Sequence, residues 1–142
     1  MEETMRSTAT LTATLLCLLL YACSGRAQAE NVLTGYGLDE TAHSPEILSS
    51  KFDAGEPFSI VLKPALLRDS FVELIVYSYD KNRKRHRVRN ITLSGIDTNE
   101  NFIQINNAFL IPFPGRYRIS FEQLNNVLGW AEVEIVAATE PE

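Results

Sequence analysis

Sulfur and histidine are scarce in this chain, and their scarcity removes several kinds of site. Of 142 residues, two are cysteine, two are methionine and two are histidine. Both methionines and both cysteines lie within the first 23 residues, whereas the histidines are His43 and His86. The rest of the chain therefore cannot form an internal disulfide bond, and it lacks the ligands of a structural zinc site or a blue-copper centre. We expect no metal and no cofactor.

Long hydrophobic runs are also missing. The longest covers residues 15–23, which is too short to cross a bilayer as a helix. Arg6 precedes this run and small residues follow it, as in an export signal. The sequence therefore predicts an export signal over residues 1–22. Because Ala27-Gln28-Ala29 also has the small-x-small pattern of a signal peptidase site, cleavage after Ala29 is the alternative.

The end of the run, Leu20-Tyr21-Ala22-Cys23, resembles the lipobox of bacterial lipoproteins. The resemblance implies cleavage before Cys23, lipidation of its thiol and attachment to a membrane through that lipid. Ser24 follows the cysteine, and in a Gram-negative cell this residue would permit delivery to the outer membrane. We therefore expect an outer-membrane or cell-envelope lipoprotein, with a soluble periplasmic or secreted form as the alternative.

Positive charge is in the minority. The chain has 13 lysines and arginines against 18 aspartates and glutamates, for a formal net charge of −5. Nucleic-acid-binding domains are usually basic, so this balance argues against a nucleic-acid partner.

The segment after the export signal has little apolar periodicity. Residues 24–48 are rich in glycine, alanine, serine, asparagine and threonine. This composition predicts a flexible tether over residues 23–50. The alternative is that Tyr36 and Leu38 pack on the following domain as an edge strand. That domain is expected over residues 51–137, followed by a disordered tail at 138–142.

From Phe52 onward, short runs of valine, isoleucine, phenylalanine and tyrosine alternate with turn-forming residues. This pattern predicts an all-β fold, an antiparallel β-sandwich or barrel, and we expect a single β-sandwich of about seven strands. Helix is excluded beyond single turns at 44–49 and 64–68. The expected strands are 58–63, 71–79, 87–93, 102–106, 109–111, 116–124 and 128–136.

The last two of these strands have the clearest alternation. Tyr117, Ile119 and Phe121 alternate with polar residues, so they are expected to face the core. Asn125-Asn126 is predicted to form a two-residue type I′ turn. A bulge at Gly129 then brings the two apolar faces into agreement, with Tyr117, Ile119 and Phe121 opposite Ile135, Val133 and Ala131, and Arg118 opposite Glu134.

The stretch Pro114-Gly115-Arg116-Tyr117-Arg118-Ile119 resembles the Gly-x-Tyr-x-apolar opening of the penultimate strand in bacterial immunoglobulin-like and transthyretin-like sandwiches, and the resemblance implies a sandwich of one of these two kinds. The resemblance implies that Tyr117 closes a corner by bonding to nearby backbone. The Cys and Trp core pattern of antibody domains is absent, since Trp130 falls in the final predicted strand.

Basic residues are concentrated between two predicted strands. Six of the 13 lysines and arginines lie here, namely Lys81, Arg83, Lys84, Arg85, Arg87 and Arg89. Like charges at this density predict a solvated loop with a local positive field. Tyr77 and Tyr79 come just before it, and they either flank the basic tip or belong to the core. If strand pairing reaches residue 83, the four arginines form a stripe on one face; if the tip is irregular, the stripe is lost.

Two functions fit this basic segment. As a binding site, it would grip phosphate, carboxylate or a polyanion with arginine forks. The alternative is a charged loop that keeps the sheet from pairing edge to edge with other molecules.

Catalytic residues are not assembled in the sequence. His43 falls in the predicted tether, and His86 lies among positive charges that disfavour its protonated form. Glu122, Glu132 and Glu134 are expected on the outer face as cross-strand partners of arginine. The acidic residues around Asp97 lack the regular spacing of a calcium loop. We therefore expect no enzyme.

Together these features predict an exported, lipid-anchored envelope protein that acts as a non-catalytic binding or assembly module. The expected partners are a membrane, reached through the lipid on Cys23, and a protein or an anionic envelope component. A structural subunit of a multi-protein envelope or secretion machine is the alternative, and a small periplasmic hydrolase is a weaker one.

Overall fold

Nine β-strands make up the regular secondary structure of the described residues, which in this computed structural model are 31–63, 67–100 and 102–140. The predicted export signal, Cys23 and the alternative cleavage site lie outside these residues. The strands are β1 (Val32–Tyr36), β2 (Ile47–Leu48), β3 (Lys51–Asp53), β4 (Phe58–Leu62), β5 (Val72–Tyr79), β6 (Arg85–Leu93), β7 (Ile103–Phe109), β8 (Gly115–Gln123) and β9 (Asn126–Val136).

The strands form two sheets that pack as a sandwich. The four-stranded sheet has the order β2-β1-β4-β7, and the five-stranded sheet has the order β3-β9-β8-β5-β6. The all-β sandwich prediction is therefore confirmed, with nine strands instead of seven. One pairing is not antiparallel, since β3 runs parallel to β9. In place of the strands expected at 102–106 and 109–111 there is one strand, β7, which ends at Phe109, so the strand predicted at 109–111 is wrong for Leu110 and Ile111.

The tether predicted over residues 23–50 is wrong for its described part. Strand β1 lies inside the four-stranded sheet, where Val32 pairs with Leu62 and is 4% exposed. Tyr36 does pack on the domain, edge-to-face on Phe52, but β2 covers β1 on its other side. The prediction failed because these pairings join residues far apart in sequence, and a short strand with two glycines nearby has too few apolar positions to show its period.

A single hydrophobic core lies between the sheets. Its aromatic centre is Phe58, whose ring stacks on Phe52 at 4.0 Å between centroids and meets Phe109 edge-to-face at 5.4 Å. Leu74 and Ile119, both fully buried, face this centre from the five-stranded sheet. The core is built from alternate residues of each strand, as the period of a β-strand requires.

The chain crosses between the two sheets several times. Strands β1, β4 and β7 are neighbours in one sheet, and strands β9, β8, β5 and β6 are neighbours in the other. At the corner before β8, the Tyr117 hydroxyl donates a 2.9 Å hydrogen bond to the Phe113 carbonyl. The corner bond implied by the sequence resemblance is thus confirmed.

The β8–β9 hairpin is displaced from its predicted register. The turn residues are Leu124 and Asn125, with φ of 50° and 64°, so the predicted Asn125-Asn126 turn is wrong by one position. The bulge falls at Leu128 instead of Gly129, because Glu122 pairs with Val127 and Phe121 pairs with Gly129.

The cross-strand partners shift accordingly. Tyr117, Ile119 and Phe121 lie opposite Val133, Ala131 and Gly129, and Arg118 lies opposite Glu132 instead of Glu134.

Gln123 explains the shift. Its Oε1 accepts a 2.8 Å hydrogen bond from the Arg68 backbone N–H, and its Nε2 donates to the carbonyls of Asp69 and Phe71 at 2.8 and 2.9 Å. With only 4% of its surface exposed, this side chain must remain in the strand, pointing inward. The turn therefore begins at the next residue, which the local sequence could not indicate.

Candidate binding surface

The basic segment forms the β5–β6 hairpin, and a single carboxylate organises its tip. Asp80 Oδ1 accepts hydrogen bonds from the backbone N–H groups of Asn82 and Lys84 at 2.8 and 2.9 Å. The Asp80 N–H donates to the Lys84 carbonyl at 3.0 Å, and Arg83 takes a positive φ of 61°. We call residues 80–89 the basic hairpin.

His86 holds the second oxygen of the same carboxylate. Its Nε2 lies 2.9 Å from Asp80 Oδ2, the one ion pair among the described residues when the imidazole is protonated. The hydrogen bond from His86, together with those from the turn backbone, holds the pKa of Asp80 below its ordinary value of 3.8. His86 is therefore engaged in ordering the turn.

The four arginines do not form a stripe. Pairing begins at Arg85, and Arg83 lies in the turn. A bulge at Val88 then interrupts the alternation, since Arg87 pairs with Tyr77 whereas Arg89 pairs with Val76. The irregular-tip alternative is the one observed.

The bulge divides the arginines between two faces. Directly paired residues share a face of the sheet, so Arg85 and Arg87 lie with Tyr77 and Tyr79 on the outer face. Arg89 lies with the core residue Val76 on the inner side. There its guanidinium is 5.4 Å from the Phe109 ring centroid, and its Nη1 donates to the Leu110 carbonyl at 3.2 Å.

The outer face carries alternating aromatic and cationic side chains across four strands. The Arg118 guanidinium lies 4.0 Å from the Trp130 ring centroid, and Arg118 pairs with Tyr77. Arg85 in turn lies 5.4 Å from the Tyr77 centroid. Burial, and then the nearby charge of Arg85, lowers the pKa of Arg118. The two tyrosines expected beside the basic segment are thus part of this face.

Carboxylates on this face bind the tyrosines. Tyr77 donates a 3.1 Å hydrogen bond to Glu122, and Tyr79 donates a 2.8 Å bond to Glu132. Burial and the bond to Glu132 raise the pKa of Tyr79. In the described residues no lysine or arginine side chain has a carboxylate oxygen within 4.0 Å. The lysine and arginine side chains of the basic hairpin therefore have no direct ion-pair partner in the described part of the chain, and Asp80 at the tip is held by His86.

An apolar cleft opens beside the inner side of the hairpin. Its volume is about 490 Å³. Three large side chains at its rim are exposed: Val88 by 56%, Leu110 by 37% and Phe113 by 70%. Its remaining lining residues are Val76, Ser78, Arg89, Ile111, Pro112 and Tyr117.

Sequence reasoning missed this cleft and the position of Arg118 over Trp130. The run Leu110-Ile111-Pro112-Phe113-Pro114 is more apolar than an ordinary exposed connection, and that excess was the available signal. Nothing in the sequence indicated that the run would lie next to Val88, because a bulge in another strand brings them together.

The residues considered for catalysis lie in structural contacts. His43 stacks on Phe102 with 3.7 Å between centroids. His86 holds Asp80, and Glu122 and Glu132 accept from tyrosines. Asp97 Oδ1 accepts from the backbone and side-chain nitrogens of Asn99, as in an ordinary turn. Within the described ranges, no three His, Cys, Asp or Glu side chains are grouped to hold a metal ion.

Comparison of the chain with protein-family models, curated proteins and solved structures gave no match. Among the residues whose structure is described, no helix has the length and hydrophobicity to cross a membrane.

Proposed function

We propose that this protein is an exported, lipid-anchored envelope protein that binds an anionic partner through the basic hairpin. The observation that carries the proposal is the hairpin itself. Lys81, Arg83 and Lys84 are exposed on a turn that Asp80 and His86 order through hydrogen bonds. An ordered tip loses less conformational entropy on binding than a flexible basic loop does.

The anchor rests on the sequence. The lipobox resemblance at residues 20–23 supports lipidation of Cys23, which would hold the module at a membrane. Intact mass of the processed protein tests this part. A mass matching an acylated chain that begins at Cys23 is expected, and an unacylated chain that begins at Glu30 would contradict it.

Binding is tested with a triple variant at the tip, Lys81→Ser, Arg83→Ser and Lys84→Ser. Long poly-glutamate and polyphosphate serve as anionic probes, and affinity is measured by fluorescence anisotropy at low and at physiological salt. We expect the affinity for at least one probe to fall by about tenfold at low salt, and less at high salt because of screening.

The matched control removes the same charge elsewhere. Lys51, Lys63 and Arg68 are all exposed and lie outside the hairpin. Their triple serine variant should retain most of the affinity. Equal losses in the two triple variants would show that net charge alone is sensed, and the hairpin would then be a charged edge that prevents aggregation.

A further inference from the structure

Strand β6 has a free edge. Among the described residues it is the last strand of the five-stranded sheet, with β5 on one side and no strand on the other. Over its nine residues, Arg85–Leu93, the backbone makes no hydrogen bond outside its pairing with β5 in the described part of the chain. An open edge of this length presents backbone N–H and C=O groups that an added strand can pair with.

The apolar cleft opens next to β6, on the inner side of the sheet. Val88, the bulged residue of β6, forms part of its rim, and Phe113 forms another part. Its volume of about 490 Å³ is sufficient for a large aliphatic or aromatic side chain. A strand added to β6 would therefore carry side chains past this opening at every second position.

The positive charge along β6 indicates what kind of strand would bind there. Arg89 borders the cleft and uses Nη1 on the Leu110 carbonyl, which leaves other guanidinium N–H groups for a carboxylate. Arg85 and Arg87 lie along the same strand. A second copy of this chain pairing through β6 would place these arginines close to one another, which is unfavourable. An acidic strand has the complementary charge.

From the free edge, the cleft and the charge we propose that β6 accepts an extended acidic segment of another protein, with one large apolar side chain seated in the cleft between Val88 and Phe113. This inference rests on the proposed function and names the chemistry of its partner. Backbone pairing supplies affinity in this mode of recognition, and the cleft supplies selectivity.

The probe is a blocked heptapeptide, Glu-Glu-Glu-Phe-Glu-Glu-Glu, which carries carboxylates on both faces of an added strand, and its affinity for the folded protein is measured by isothermal titration calorimetry. Replacing its phenylalanine by serine should weaken binding by about tenfold, as expected for losing a buried aromatic side chain. Methylating alternate backbone nitrogens on the pairing side should abolish binding at unchanged charge. In hydrogen-exchange NMR, amides of β6 should become protected when the unmodified peptide binds.

On the protein, Phe113→Ser should weaken heptapeptide binding by about tenfold and leave poly-glutamate binding by the tip unchanged. The matched control is Leu124→Ser, because Leu124 is also exposed, at 59%, but lies at the far hairpin. It should bind the heptapeptide normally.

The two proposals fail in distinguishable ways. If the triple tip variant weakens poly-glutamate binding while Phe113→Ser and backbone methylation do not affect the heptapeptide, the proposed function stands and strand addition is wrong. Sedimentation showing a dimer that Phe113→Ser dissociates would identify a second copy as the occupant and overturn the acidic-strand proposal.

Discussion

The Arg118 guanidinium lies over the indole ring of Trp130, 4.0 Å from its centroid, on the outer face of the five-stranded sheet. The two residues come from neighbouring strands but are not directly opposite, since Trp130 pairs with Ser120. Together they cover part of the outer face beneath the basic hairpin. The aliphatic part of the arginine side chain adds apolar contact to the electrostatic attraction.

Replacing Arg118 by alanine should destabilise the domain. We expect the free energy of unfolding to fall by about 1–2 kcal/mol, since both a partly desolvated cation–π contact and apolar packing are lost. Urea denaturation followed by Trp130 fluorescence measures the change. Arg116→Ala is the control, because Arg116 is exposed on the same strand, and it should change stability by less than about 0.5 kcal/mol. Equal effects of the two variants would contradict the assigned contact.

The corner bond of Tyr117 can be removed without changing the packing of the ring. Tyr117→Phe eliminates the hydrogen bond to the Phe113 carbonyl and keeps the aromatic side chain. We expect a loss of about 1 kcal/mol in the free energy of unfolding, the usual net value of one hydrogen bond. Thermal or urea unfolding measures it, and a variant as stable as the parent would show that the bond contributes nothing.

Gln123 should be among the most sensitive polar positions. Gln123→Ala leaves two backbone carbonyls and one N–H of residues 68–71 without their partner. We expect a loss of about 3 kcal/mol, because several polar groups lose their hydrogen bonds at a buried site. Asn126→Ala, at an exposed position of the same hairpin, should cost less than about 0.5 kcal/mol. If chemical denaturation shows equal losses, the assigned role of Gln123 is wrong.

The hairpin tip should loosen in acid. The folded pKa of Asp80 is depressed, first by its hydrogen bond with His86 and then by the turn N–H groups. When folding lowers the pKa of a carboxyl group, the ionised group stabilises the folded state at pH values above its unfolded-state pKa. This stabilisation is lost as the pH falls through the folded-state pKa. Local order at residues 80–86 should therefore be complete above pH 3.8 and decrease below it.

Carbon-detected NMR titration measures the pKa of the Asp80 carboxyl group. In His86→Ala the Asp80 pKa should move up towards 3.8, and tip disorder should begin at a higher pH than in the parent. If the His86 substitution leaves the Asp80 pKa unchanged, the ion pair with His86 does not lower that pKa.

Much of the sandwich could be predicted because the alternation of apolar and polar residues is visible within each strand. Alternation in Tyr117, Ile119 and Phe121 assigns one face to the core whatever strand lies beside it. Register could not be predicted in the same way. It depends on Gln123, whose three hydrogen-bond partners lie more than fifty residues away in the chain.

The candidate site likewise has some features that the sequence predicts and others that it does not. The density of cations in residues 81–89 is a property of the sequence and predicts their exposure to solvent, but residues 85–89 lie in β6 and not in a loop. The directions of the arginine side chains cannot be read from the local sequence. They depend on the bulge at Val88, which arises from pairing with β5. One inserted residue moves Arg89 from the outer face to the rim of the cleft.

The sequence by itself determined that this is a β-rich chain with an acidic balance and one basic segment, since composition and period-two alternation act residue by residue. Only the tertiary structure decided that residues 32–36 belong to the sandwich, that the arginines separate onto two faces, and that Val88 meets Phe113 across a cleft. Each of these depends on contacts between residues distant in the chain, whose energies favour one register over another and leave no mark in the local pattern.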